Sequence, residues 1–528
     1  MSAILSDADL NDFISPGLAC IKPAGEIRSN NNTTNNDSYE IQIGSNGEAL
    51  EVSIDDGTIK DLPSASISLQ DCLACSGCIT SAEEVLLAKQ THTLLLDEIN
   101  QFKNDKIFCL SISHQSRISL STYLNIPIVK IDELLINLFS EKYGFKFIVG
   151  TEFGRILSIT KTNNELINKK LQNNLNQVQL SSICPGFVLY VEKTKPELLP
   201  YLFNIKSPQQ ITGFILKTLI SKQMSIQPDK IYHLSIMPCF DKKLEAARPE
   251  ESDPLYQNQI DVDCVITPKE LIELFKLENI NLSEYITKTP EPPLSLYEKA
   301  APKFWPSPVE SWSSNLGSVS GGYSENYILS LQNYYQTQGI PTEIKTIQGK
   351  NSDVLEFQLI NSSTGSKLGS SAIINGFRNI QNLVRKLKPS NKVKIGGKGN
   401  SLTARRKARL QQKSNPEVAV TKGEDISADP STCDYVEVMA CPGGCINGGG
   451  LNTPIDDGLN QTKEFLNKMI FKYFNELNKI NELRDEKVLG GFMDIFKKEI
   501  GVNNERFWNY KLNHIEKSND ILTTGNSW

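Results

Sequence analysis

Histidine is scarce in this chain of 528 residues. Only His92, His114, His233 and His514 occur, and none joins a cysteine at zinc-ligand spacing. A mixed Cys/His zinc site is therefore disfavoured. No G-x4-G-K-[ST] motif is present, so phosphate-loop nucleotide hydrolysis is not expected. No apolar run approaches the ~20 residues that cross a bilayer. The first residues lack a basic stretch followed by an apolar one, and they carry Asp7, Asp9 and Asp12. That pattern fits neither a secretory signal nor an Arg-rich transit peptide. Charge of one sign is lacking too. A net charge of -6 on this length gives no electrostatic reason to expect nucleic acid or an anionic membrane as partner. The expectation is a cytosolic protein, with the nucleus as a further location.

Cysteine is present and unevenly placed. There are eleven, an odd number, and in a reducing compartment clustered cysteines favour metal or redox roles over disulfides. Eight fall into two sets of four. The first is Cys20 with Cys72, Cys75 and Cys78, the last three spaced C-x2-C-x2-C. Tight turns at Ala74 and Gly77 can aim three sulfurs into one concavity, where backbone N–H groups tune a cluster. A cubane needs a fourth thiolate, and Cys20 is the one other cysteine before residue 100. Zinc is the alternative metal here. The second set is Cys184 before Pro185-Gly186, Cys239 after Met237-Pro238, and Cys441 and Cys445 around Pro442-Gly443-Gly444. Thiolates are soft ligands, four converging thiolates satisfy a cubane, and glycines let the backbone approach it closely. Cys109 and Cys264 lie in apolar strand candidates and read as small core residues; Cys433 receives no ligand role.

Composition is that of an ordinary globular protein, 39% hydrophobic and 22% charged, and the length suggests roughly two to four domains. Residues 29–37 are a polar, Asn-rich tract, and 43–60 read as a hairpin. From about residue 104 the pattern becomes α/β. Strands are expected at Ile107–Ile112, Phe145–Gly150, Ile231–Met237 and Asp263–Thr267, with apolar helical spacing over Leu120–Leu138. A helix is expected to start at Pro268. Strands alternating with helices imply a mostly parallel sheet, with ligands at strand ends. Residues 390–432 read as a solvated insertion, basic at Lys398, Arg405, Arg406, Lys407 and Arg409. Residues 461–500 read as helical, with a stripe of Phe465, Met469, Ile470, Tyr473, Phe474 and Leu477.

Met-Pro-Cys-Phe-Asp-Lys-Lys-Leu-Glu-Ala (237–246) and Glu-Val-Met-Ala-Cys-Pro-Gly-Gly-Cys-Ile-Asn-Gly-Gly-Gly (437–450) resemble motifs of the [FeFe]-hydrogenases. Asp263–Phe275, Gly317–Gly322 and Asn375–Lys388 resemble further parts of that catalytic domain, and the similarity runs over roughly 104–510. It implies that Cys184, Cys239, Cys441 and Cys445 hold a cubane between two lobes. One departure bears on activity. Where active hydrogenases carry the first of two adjacent cysteines, which relays protons, this chain has Ile183. Lys242 and Glu245 stand where hydrogenases cradle di-iron ligands, but they also fit a simple i,i+3 ion pair.

This combination resembles the eukaryotic hydrogenase-like family that includes the nuclear prelamin A recognition factor and the cytosolic iron–sulfur assembly factor of yeasts. The resemblance implies an α/β fold: a small ferredoxin-like Fe–S module (1–103), a two-lobed hydrogenase-like body (104–235 and 236–455) and a helical C-terminal segment (456–528). It implies two [4Fe–4S] clusters and no hydrogenase activity. It implies cluster delivery from a P-loop NTPase scaffold to a targeting complex with a WD40-propeller protein, serving apo iron–sulfur proteins. The terminal Trp528, an indole beside a carboxylate, is a candidate docking signal. A hydrogenase, a two-cluster electron carrier and a nuclear interaction protein are the competing functions.

Overall fold

The computed structural model describes residues 87, 89–248, 260–289, 292–306, 308–314, 317–387, 427–454, 459–477 and 505–512, and the backbone of three short strands before them. Those strands, β1 (Tyr39–Ile43), β2 (Ala49–Ser53) and β3 (Ile59–Asp61), form an antiparallel sheet. Residues 43–60, expected as one hairpin, thus hold parts of three strands.

After residue 104 strands and helices alternate as expected. In chain order they include β4 (Ile107–Ile112), β5 (Phe147–Gly150), β6 (Gln179–Ser181), β7 (Leu202–Phe203), β8 (Ile231–Ile236) and β9 (Cys264–Ile266). Then come β10 (Thr342–Gln348), β11 (Val354–Asn361), β12 (Lys367–Asn375) and β13 (Tyr435–Met439). One sheet has the order β5-β4-β8-β9, with every pair parallel. Both of its faces are covered, so its strands are mostly apolar and buried, with Ser111, His233 and Ser235 as buried polar residues. On β4, Phe108, Leu110 and Ile112 enter one core while Cys109 enters the other.

The other sheet has the order β10-β11-β12-β13-β6-β7. Its β12-β13-β6-β7 part is parallel, and β10-β11-β12 is an antiparallel meander. The meander carries no clear apolar signal in sequence because β10 is an edge strand, its residues alternating between half-buried and exposed. The chain passes from the four-stranded sheet to the six-stranded one, back, and over again. Each parallel strand nevertheless ends at a loop entering a helix, which collects loops at one edge of each sheet.

Local chemistry sets several boundaries. The apolar stretch Leu120–Leu138 is two helices, His114–Leu124 and Ile128–Glu141. Asn125 takes a left-handed φ of 55° and Pro127 follows; proline disfavours helix at the residue before it. Pro268 opens the helix Pro268–Leu277 as expected, behind a capping box of Thr267 and Glu270. The helix Leu459–Asn475 begins two residues before the helical region expected at 461–500 and covers its first part, while residues 478–500 lie outside the described residues. Met469, Tyr473 and Leu477 pack on Ile118, Ile128 and Ile446, whereas Phe474 of the same expected stripe is exposed. No helix among the described residues is long and apolar enough to cross a membrane.

Candidate iron–sulfur centre

Three parallel strands deliver the second cysteine set. β6 ends at Ser181, and Cys184 then caps the helix Pro185–Thr194, with proline at its first turn, where no N–H is needed. β8 ends at Ile236, and Cys239 precedes the helix Asp241–Ala246. β13 ends at Met439, and Cys441 and Cys445 flank a turn closed by Gly444 N–H donating to the Cys441 carbonyl (3.1 Å). Gly443 and Gly444 take φ of 71° and 85°, consecutive left-handed residues that only glycine adopts without strain.

Hydrogen bonds tie these loops to one another. The Ala440 N–H donates to Cys184 Sγ (3.4 Å). The Gly450 N–H donates to the Pro238 carbonyl (3.0 Å), joining the Cys445 loop to the Cys239 loop across the two sheets. A Cβ at Gly448 would lie 2.4 Å from that same carbonyl, so this approach needs glycine. The Cys445 N–H donates to Ser320 Oγ (2.9 Å). Ser320 sits in the Gly317–Gly322 loop, which Glu437 of β13 holds by accepting from Ser318 Oγ (2.7 Å) and the Ser324 N–H (2.9 Å). Burial raises the Glu437 carboxyl above its ordinary range.

Cys184 is buried and Cys239, Cys441 and Cys445 are half-buried. Removal from water raises all four thiols, Cys445 to about 12. After burial, the cysteines act on one another: Cys184, Cys239 and Cys445 each push Cys441 up. The four thiols therefore lie near enough to oppose one another's ionisation, and ionising them together would need a positive centre beside them. Among the described residues no group of three or more His, Cys, Asp or Glu side chains is arranged to hold a metal ion. One zinc ion would draw its sulfurs to ~2.3 Å from a single point. A cubane offers a separate iron to each thiolate, so an all-cysteine set carried on neighbouring loops suits it in donor chemistry.

The remaining expected residues fall elsewhere. Cys20, Cys72, Cys75 and Cys78 lie outside the described residues, as do Trp528 and the basic segment 398–409. Cys109, Cys264 and Cys433 are buried in apolar cores. Ile183 is buried in the core of the six-stranded sheet and presents no thiol to the site. Lys242 and Glu245 do form an ion pair, at 2.9 Å. Ser320 and the Pro238–Gly450 contact escape a reading of the sequence, because a serine oxygen and backbone groups carry no spacing signal.

Residues 106–449 match the family described as iron only hydrogenase large subunit, C-terminal domain. Over 98% of each chain, the protein is 47% identical to the cytosolic Fe-S cluster assembly factor NAR1 of Scheffersomyces stipitis. It is 46% identical to the protein of that name from Debaryomyces hansenii over the full length of both. The chain belongs to the NAR1 family. Apo [FeFe]-hydrogenase HydA1 from Chlamydomonas reinhardtii is similar in fold, with a TM-score of 0.55 at 21% identity over 80% of this chain and 99% of that one. This NAR1 family member thus has the hydrogenase-like α/β architecture expected from its motifs, while its full-length relatives are named as assembly factors.

Proposed function

We propose that this protein works in cytosolic iron–sulfur protein assembly as a carrier of two [4Fe–4S] clusters. Cys184, Cys239, Cys441 and Cys445 would hold the interior one, and Cys20, Cys72, Cys75 and Cys78 the other. When bound, such clusters supply one-electron redox chemistry and a transferable iron–sulfur unit. The protein's own residues bring four thiols together from two sheets, shield them from water, and order the loops through Ser320, Gly450 and Lys242. Clusters would pass from a P-loop NTPase scaffold to a targeting complex with a WD40-propeller protein, and from there to apoproteins in cytosol and nucleus. Trp528 is the proposed docking signal.

The observation carrying this reading is that hydrogen bonds between their loops gather Cys184, Cys239, Cys441 and Cys445 in one region, beside an aliphatic side chain at residue 183. The set suits a cubane; Ile183 offers no proton to a neighbouring catalytic metal. Mössbauer and EPR spectroscopy of anaerobic protein, with Cys20, Cys78, Cys184 and Cys445 substituted singly, tests the count. About eight irons per chain are expected, and about four would defeat the two-cluster reading. In cells depleted of the native protein, Cys72→Ser or Cys441→Ser should lower cytosolic iron–sulfur enzyme activity; unchanged reporters would end the assembly role. Infrared bands of iron-bound CO or cyanide would favour a hydrogenase instead.

A further inference from the structure

The short helix that follows Cys239 carries an ion pair whose lysine reaches the loop of Cys184. Lys242 Nζ donates to both oxygens of Glu245 (2.9 Å each) and to the carbonyl of Ile183 (3.1 Å). That carbonyl belongs to the residue before Cys184, on the other sheet. One ammonium therefore spans the loop of Cys239 and the loop of Cys184. Glu245 is itself fixed, accepting from Ser207 Oγ (2.8 Å). Only 12% of the lysine side chain and 8% of the glutamate are exposed, so water screens neither charge well.

From this geometry we propose that Lys242 is a positioning residue that clamps the two cysteine loops together, and that the Lys242–Glu245 pair sets the reduction potential of the cluster held there. The inference rests on the reading that Cys184, Cys239, Cys441 and Cys445 bind a [4Fe–4S] cluster. Reduction adds one electron and hence one negative charge to the site. A nearby cation stabilises that added charge and raises the potential; a nearby anion does the opposite. Lys242 is held at its place by Glu245, which also offsets part of its field.

The test is a mediated redox titration of the anaerobic full-length chain followed by EPR, with iron and sulfide assayed in every sample. It is run in a Cys72→Ser background so that the interior site is read alone. Lys242→Met keeps the aliphatic stem and should lower the potential. Glu245→Gln keeps the shape and should raise it. Each should change the reduced-to-oxidised ratio at fixed ambient potential about tenfold, ~59 mV for one electron. Lys242→Arg should restore the ratio. Ser207→Ala, which loosens Glu245 without touching either charge, should shift the ratio in the direction of Glu245→Gln and less. Loss of iron in Lys242→Met with retention in Lys242→Arg would support the clamp, and the potential is then read from Glu245→Gln and Ser207→Ala. Shifts of one sign in the lysine and glutamate variants, or no shifts with iron retained, would overturn the inference alone. Absence of iron from the Cys72→Ser protein would overturn the cluster reading and this inference together.

Discussion

The two sheets contribute unequally to the cysteine site. The six-stranded sheet supplies Cys184, Cys441 and Cys445 from adjacent parallel strands, β6 and β13. The four-stranded sheet supplies Cys239 alone, from the end of β8. Three cysteines on one side can keep their geometry through a single hydrogen-bonded ladder. The fourth is placed by whatever holds the sheets to each other, so the site is as rigid as its cross-sheet contacts. This difference predicts where the centre breaks. Cys239→Ser and Cys441→Ser should each have the largest effect, removing about four of eight irons per chain. Iron and acid-labile sulfide assays check this. Full retention in Cys239→Ser would take the four-stranded sheet out of the centre.

The next effect concerns how the lone contributor is anchored. Lys243, beside the clamp lysine, points the other way and has no exposed side-chain area. Its ammonium donates to the Gln90 carbonyl (2.5 Å) and to Glu270 (2.5 Å). Gln90 answers, donating to the Lys243 carbonyl (3.0 Å) and accepting from the Val265 N–H of β9 (3.1 Å). A buried lysine is tolerable only when paired in this way. Lys243→Met leaves Glu270 without its cation and should cost ~3–5 kcal/mol, the range for breaking a buried pair. Urea unfolding would read the loss. Hydrogen exchange should rise first around Val265 and the 237–246 loop, with Val436 of β13 affected later. A uniform rise would show that the two halves unfold as one.

The halves also differ in how far sequence discloses them. The apolar runs of β4, β8 and β9 are plain because both faces of that sheet are covered. The cysteines and their glycines are plain because soft ligands and left-handed turns need those residue types. The edge strand β10 is not, since its exposed positions dilute the pattern. Nor are the contacts that make four cysteines one site. Lys242 to the Ile183 carbonyl joins residues 59 apart, and Ser320 to the Cys445 N–H residues 125 apart. In each, one partner is a backbone group that every residue possesses, so no side-chain spacing marks it. The helix break at Asn125 to Pro127 was legible in principle, but the apolar spacing around it continues in phase and masks it.

Acid should separate the sheets in stability. No histidine lies in the six-stranded sheet, whereas His233 is fully buried on β8. Its Nε2 meets Ser111 Oγ (2.9 Å) and its Nδ1 the Asp261 carbonyl (2.9 Å). Burial pulls its pKa down from 6.5 to about 4. An unfolded chain binds the proton below 6.5 and the folded one does not, so stability is lost as pH falls from about 6.5 toward 4. Each unit crossed costs up to about 1.4 kcal/mol. Hydrogen exchange at pH 7 and pH 5 should show amides of β4 and β8 losing protection ahead of those of β12 and β13. Equal losses would place the acid-sensitive group elsewhere.

The smallest effect tests whether a third element matters to the balance between the sheets. The helix Leu459–Asn475 touches both sides through Tyr473. Its hydroxyl accepts from Arg155 (2.9 Å) and donates to the Ser318 carbonyl (3.3 Å). Arg155 follows β5 of the four-stranded sheet; Ser318 belongs to the loop that places Ser320 on the Cys445 N–H. Arg155 keeps Glu152 and Ser314 as partners when the hydroxyl is removed, so little charge is stranded. Tyr473→Phe should therefore cost only ~1–2 kcal/mol in urea unfolding and leave the iron content unchanged. The site should nevertheless loosen on the Cys445 side. Iron release to a chelator should quicken in Tyr473→Phe and not in a surface control such as Phe471→Ser on the same helix. If the two variants release iron at the same rate, the helix covers the core without steadying the cysteine loops, and the cross-sheet hydrogen bonds alone decide how firmly the fourth cysteine is held.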